Sequence, residues 1–192
     1  KRDLPEKEWN VADFLKGGGD HLFRNDEGRF VEVTKEAGIH GSLISFGLGV
    51  SVADINDDGY PDVFVSNDSY ERDYLYINQK NGTFKDELEQ WMQHISFSSM
   101  GADIADINND GYPDLFTTDM FPMGDHRLKT MGAFDNIDLF TAKLKAGFYY
   151  QYPVNSLQLN NKNRKFKDIA RFAGVPATDW SWGALLFDMD ND

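Results

Sequence analysis

Three features of the sequence predict an all-β fold: a β-propeller of four-stranded blades with calcium-binding hairpin loops, of which the chain covers part. A nine-residue acidic loop occurs twice and begins a third time. Each full copy is entered by a glycine-bearing apolar strand and left by a second strand pattern. Two more short strand patterns follow before the next copy. Four-stranded units of this size are the building blocks of propellers. A single unit cannot bury both of its faces, so neighbours must stack.

The elements follow in order along the chain. Leu22–Asn25 and Arg29–Glu32 read as the second half of an earlier copy. The first full unit runs from strand Phe46–Ala53 through loop Asp54–Asp62, strand Val63–Ser66, strand Tyr74–Asn78, a polar turn, and strand Thr83–Asp86. The second repeats it as Ser99–Ala105, Asp106–Asp114, Leu115–Thr118, Ser156–Asn160 and Lys165–Asp168. Trp182–Phe187 then leads into Asp188, the third loop start. Blade parts are therefore expected over about 20–45, 46–97, 98–181 and 182–192, with an insertion at 119–153. The glycine-bearing strand is expected innermost, where backbones crowd near the axis. A short helix is expected between 86 and 94, and another, amphipathic, within 134–147 and ending at Gly147. Propellers have about 4–8 blades, so the polypeptide is expected to continue in at least one direction. The insertion either carries function, as long loops on rigid scaffolds often do, or packs over a blade edge or the channel mouth.

The loops read Asp54-Ile55-Asn56-Asp57-Asp58-Gly59-Tyr60-Pro61-Asp62 and Asp106-Ile107-Asn108-Asn109-Asp110-Gly111-Tyr112-Pro113-Asp114. Oxygen-bearing side chains recur at positions 1, 3, 5 and 9, with glycine at 6. Calcium takes roughly 6–8 oxygens at about 2.3–2.6 Å. Asp54, Asn56, Asp58, the Tyr60 carbonyl and Asp62 would supply one set. Asp106, Asn108, Asp110, the Tyr112 carbonyl and Asp114 would supply a second, and Asp188, Asp190 and Asp192 begin a third. Two carboxylates about 4 Å apart repel by roughly 4 kcal/mol at an effective dielectric near 20, and a cation among three turns that repulsion into attraction. Mg2+ prefers a tighter, wetter octahedron, and softer metals favour the His or Cys that the loops lack. An EF-hand is rejected. It needs a bidentate Glu at position 12 between helices, but that position is Val65 or Thr117, within strand patterns. The competing account is a metal-free turn rich in Asp, Asn and Gly.

A formal net charge of −13 argues against nucleic acid, which needs a basic face, and against anionic lipid. No apolar run approaches transmembrane length. The absence of cysteine excludes a disulfide framework and leaves the redox compartment open. Modest-affinity calcium sites fill only where calcium is plentiful, which points outside the cytosol.

The Phe-Gly…Gly…Asp-x-Asn-x-Asp-Gly-Tyr-Pro-Asp pattern resembles the FG-GAP/VCBS repeats of integrin-α-like β-propellers. Ser96–Asp106, Thr118-Asp119-Met120, Leu157–Asn161 and Thr178–Trp182 are similar to a bacterial branch of these proteins. That branch is often found with a C-terminal ASPIC/UnbV domain and is related to the cartilage acidic protein family. The resemblance implies a seven- or eight-bladed, calcium-bearing propeller exported to the periplasm or outer surface of a Gram-negative bacterium. It also implies kinship with lipoproteins, some of which accompany outer-membrane nutrient transporters. The turn Asn161–Lys165 lacks the usual glycine, which is expected to alter that hairpin.

Two function classes follow. The first is a non-catalytic scaffold or binding module presenting loops to a protein or glycan partner, such as an outer-membrane transporter complex. The second is a glycan-active lyase or hydrolase built on a propeller, with His94, His126, Arg127, Asp119 and Asp179 as candidate groups. No nucleophile elbow, zinc motif or phosphate loop accompanies them. A deep pocket joining His126 or Asp119 to a second acid would favour the enzyme. Trp180 and Trp182 fall on one side of a strand, and with Tyr149, Tyr150 and Tyr152 could stack on sugar rings or fill the core between blades.

Overall fold

The computed structural model describes residues 10–12, 18–42, 44–68, 70–131 and 136–190. A first hairpin pairs β1 (Phe23–Asp26) with β2 (Arg29–Glu32). Its two turn residues, Glu27 and Gly28, both have positive φ, 52° and 93°, the geometry that matches the twist of paired strands.

Two four-stranded antiparallel sheets follow, with the same meander. The first is β3 (Phe46–Ala53), β4 (Asp62–Asp68), β5 (Tyr74–Asn78) and β6 (Phe84–Asp86), followed by helix α1 (Leu88–Trp91). A two-residue strand β7 (Ile95–Ser96) leads to the second sheet, which begins with β8 (Gly101–Ala105) and β9 (Asp114–Thr118). The chain then leaves for the insertion, which holds α2 (Asp125–Met131), α3 (Ile137–Ala146) and β10 (Gln151–Tyr152). It returns as β11 (Ser156–Asn160), β12 (Phe166–Asp168) and α4 (Ala170–Ala173). β10 pairs in parallel with β7 and ties the insertion to the connection between the sheets.

The core lies between the two sheets. In β4 and β5 side chains alternate faces with a period of two. Phe64 opposite Leu75, with Ile77, faces the second sheet. There Leu115 and Phe166 meet them, closed by Leu88, Trp91 and Met92 of the α1 region. The other face sends Val65, Tyr74 and Tyr76 against Ile39 and Phe84. Burying each large apolar side chain is worth about 1.5–3 kcal/mol, so the stacking of one sheet on the next supplies the stability that neither has alone.

The helix expected after Asp86 is α1, and the one expected before Gly147 is α3. Asn136 caps α3 by accepting from the Leu139 N–H at 2.8 Å, and Gly147 ends it in the left-handed conformation. Two expectations are corrected. Residues 182–187 do not form a strand ladder. In both complete sheets the partner of the corresponding strand is the one after the acidic loop, and among the described residues 182–187 meet no such partner. The segment still runs against β8, with the Leu186 N–H donating to Asp103 Oδ2 at 2.6 Å. The Asn161–Lys165 turn is also not altered. Asn161 N–H donates to the Lys165 carbonyl at 2.9 Å, as Gln79 does to Thr83. Arg164 takes φ 57° where the first copy has Gly82 at 84°. The turn therefore carries a left-handed cost of roughly 1–2 kcal/mol rather than a new shape.

Candidate metal centre

Each acidic loop joins the first two strands of its sheet, and the two are built alike. In the first, Asp54 accepts from the Asp58 N–H (3.0 Å) and the Gly59 N–H (2.7 Å). In the second, Asp106 accepts from Asp110 (3.1 Å) and Gly111 (2.8 Å). Asp58 accepts from the Tyr60 N–H at 3.1 Å, and Asp110 from Tyr112 at 3.0 Å. The sixth-position glycines lie at φ 85° and 87°, a conformation that costs a side-chain-bearing residue energy.

The ninth-position acids are inside the protein, each with no exposed surface. Asp62 accepts from the Ile55 N–H (3.0 Å) with one oxygen and the Asn78 N–H (2.8 Å) with the other. Asp114 does the same with Ile107 (3.1 Å) and Asn160 (2.7 Å). They clamp the loop to the third strand. Each carboxylate oxygen keeps a second lone pair. Burial pushes both carboxyls above the ordinary aspartate value. The backbone N–H groups oppose this, and the neighbouring charges, Asp58 and Asp54 or Asp110 and Asp106, add to it.

Two residues per loop lie outside the ligand sets expected from the sequence. Asn78 Nδ2 donates to the Pro61 carbonyl and Asn160 Nδ2 to that of Pro113 (3.0 and 3.3 Å). Lys80 Nζ lies 3.3 Å from Asp58 Oδ2 and over the Tyr60 ring. Lys162 Nζ reaches the Asp110 carbonyl at 3.3 Å and lies over the Tyr112 ring. The recurring Asn-x-Lys at the end of the third strand of each unit was the available signal.

Among the described residues, no three His, Cys, Asp or Glu side chains converge into a metal cluster. The loop carboxylates turn toward backbone N–H groups instead. The donor set nevertheless fits a hard cation. It is all oxygen, and Asn56 Oδ1 is buried without a hydrogen-bond partner among the described residues, a state that costs about 1–3 kcal/mol. Asp188 accepts from the Asp190 N–H at 3.2 Å, the beginning of the third loop. Asp192 lies outside the described residues.

The other candidate groups are dispersed. Asp119 is buried, and its Oδ2 accepts from the Phe97 and Ser98 N–H groups, both at 2.9 Å. Arg127 pairs with Asp179 at 3.2 Å. His94 pairs with Asp168 at 2.8 Å. His126 is exposed on α2. Trp180 and Trp182 are also exposed rather than buried between blades. Of the tyrosines, Tyr149 packs on the core and donates to the Met92 carbonyl at 2.7 Å, while Tyr150 and Tyr152 stay partly exposed.

Stacked four-stranded meanders, each opening through the same acidic hairpin, define a repeat protein built of propeller-type blades. The chain belongs to the family described as FG-GAP-like repeat, whose model matches residues 11–65 and 54–117. It is 35% identical to integrin alpha-3 of Mus musculus over 81 residues, covering 36% of this chain and 8% of that protein. It is 35% identical to integrin alpha-6 of Homo sapiens over 94 residues, covering 39% and 8%. The chain thus matches only a small part of these relatives' length. The family and these relatives imply a β-propeller, and the described residues form two of its blades without a closed sheet.

Proposed function

We propose that the protein is a calcium-binding, non-catalytic propeller module that presents its loops and insertion to a protein or glycan partner outside the cytoplasm. Asp54, Asn56, Asp58, the Tyr60 carbonyl and Asp62 hold one ion. Asp106, Asn108, Asp110, the Tyr112 carbonyl and Asp114 hold another, and Asp188, Asp190 and Asp192 open a third site. The observation that carries this reading is the duplicated loop lattice together with the partnerless Asn56 Oδ1. Bound calcium would neutralise the clustered carboxylates and stiffen each hairpin against its blade.

The integrin relatives and the proposed calcium sites, which fill where calcium is plentiful, support an extracytoplasmic location. The resemblance to the bacterial branch favours the outer-membrane surface or periplasm, with a nutrient-uptake complex as partner. No helix of the described residues is long and apolar enough to cross a membrane. The FG-GAP-like repeats and the integrin relatives support the binding module over an enzyme.

Asp58→Ala combined with Asp110→Ala tests the metal. A site filled to a hundred times its dissociation constant stabilises by about 2.7 kcal/mol. Calcium should raise the melting temperature of the unsubstituted protein, and the double variant should lose that rise. An equal rise in both would overturn the site assignment.

A further inference from the structure

At the end of the second blade opposite its acidic loop, the chain encloses a cleft of about 490 Å3, a size typical of small-molecule pockets. The strand register sets its position. β9 leaves the loop at Asp114 and ends at Thr118, β11 starts at Ser156 opposite Thr117, and β12 ends at Asp168 opposite Gln158. Phe121, Tyr152, Pro153 and Asp168 therefore gather at the far end, with His94 from the inter-sheet connection and Arg171 from α4.

The polar groups are arranged unequally. Asp168 Oδ1 accepts from the Leu157 N–H (3.2 Å) and the Ala170 N–H (2.8 Å), and Oδ2 contacts His94 Nε2 at 2.8 Å. Its charge is thus fully engaged. Burial alone would raise this carboxyl, but the hydrogen bonds from His94 and Ala170 outweigh burial and hold it below the ordinary aspartate value. The His94 ring is fixed edge-on to Tyr152 at 5.4 Å, and Tyr152 is backed by Phe140 of α3 at 5.9 Å. His94 Nδ1 has no partner among the described residues, and the Arg171 guanidinium has neither an ion pair nor a hydrogen bond among them. The cleft therefore offers an apolar lining that includes Phe121, Tyr152 and Pro153, a held imidazole, and the unpaired Arg171 side chain. An inorganic anion would leave the apolar wall unused. An uncharged ring would leave the guanidinium unused.

We propose that this cleft binds a small organic carboxylate with a flat apolar body, its ring against Tyr152 and Phe121 and its carboxylate on the Arg171 guanidinium. Guanidinium and carboxylate match in planar, two-point geometry. The site uses none of the acidic-loop residues, so its failure and that of the calcium assignment are separable.

Phenylacetate is the probe and phenylacetamide its uncharged match, each titrated into the calcium-loaded protein while the His94 and Tyr152 ring signals are followed by NMR. Phenylacetate should move both signals saturably, and the amide should bind at least roughly tenfold more weakly. Arg171→Met keeps the aliphatic stem and should weaken phenylacetate by a similar factor without changing the melting temperature. Ring signals unmoved by millimolar phenylacetate, equal affinity for acid and amide, or undiminished affinity in Arg171→Met would each overturn the proposal.

Discussion

Asp73 and Asp119 show how single buried acids fasten the blades together. Asp73 accepts from the Asn67 N–H (2.8 Å) within its own sheet and from the Ser99 hydroxyl (2.7 Å) in the connection to the next. Asp119 holds the same connection from the other side through Phe97 and Ser98. Burial pushes each carboxyl up to about 7, against these hydrogen bonds, and for Asp73 the charge of Asp119 adds to burial. An acid with a higher pKa in the folded protein binds its proton more tightly there, so stability falls as pH rises between the unfolded and folded values. That penalty is absent below the ordinary aspartate range and complete above about pH 7, at up to about 1.36 kcal/mol per pH unit per group. Asp73→Asn keeps an acceptor for Asn67 and cannot ionise. Chemical denaturation between about pH 5 and pH 7 should show a shallower decline in the variant than in the parent. Parallel declines would refute the assignment. The sequence left Asp73 unmarked and offered Asp119 as a catalytic candidate rather than a fastener, because burial of both depends on packing between segments distant in the chain. It did show the loop acids, whose spacing is local. Even there it assigned Asp62 and Asp114 as ligands alone and missed that each pins two backbone N–H groups.

At the scale of elements, legibility followed how locally each element is determined. α3 could be placed because its apolar spacing and Gly147 are written within one segment. α2 could not, since Asp125–Met131 carries little apolar periodicity. The β7–β10 pair is two residues long and joins segments far apart in sequence, so no pattern marks it. Besides the β7–β10 pair, α3 of the insertion is anchored by Lys143, which is buried with Nζ 3.8 Å from the Phe97 ring centroid and 5.2 Å from that of Tyr70. Such contacts are worth about 0.5–2 kcal/mol when desolvated, and the aliphatic stem adds packing. Lys143→Ala should loosen α3 while sparing the blades. Amide exchange of residues 137–146 should accelerate several-fold or more, and exchange in β4 and β5 should not change. Uniform acceleration throughout the molecule would show instead that the insertion is integral to the blade core.

Across the whole molecule, the repeat works because the first strands of successive units approach closely enough for backbone to meet backbone. A Cβ on Gly49 would lie 3.5 Å from the Ala102 nitrogen and 3.7 Å from Gly101 Cα, and 2.7 Å from Ser66 Oγ. Ser51 Oγ–H donates across the same seam to the Ala102 carbonyl at 2.9 Å. One unit further on, a Cβ on Gly101 would lie 3.0 Å from both Gly183 Cα and the Trp182 carbonyl oxygen. This is the physical content of Gly49 and Gly101, which precede the two complete acidic loops: they set the spacing between units. Gly101 does not sit at positive φ, so an alanine there would be opposed by its neighbours rather than by its own backbone. Overpacking of this kind costs about 1–3 kcal/mol. Gly101→Ala should therefore push residues 182–184 outward and break the bond from Leu186 N–H to Asp103. Faster Leu186 amide exchange and a lower melting temperature would report both effects. Gly183→Ala is the matched control, because a Cβ there meets nothing within 4 Å. It should leave both readouts unchanged. If the two alanines behaved alike, close approach at Gly101 could not be what holds the third unit against the second.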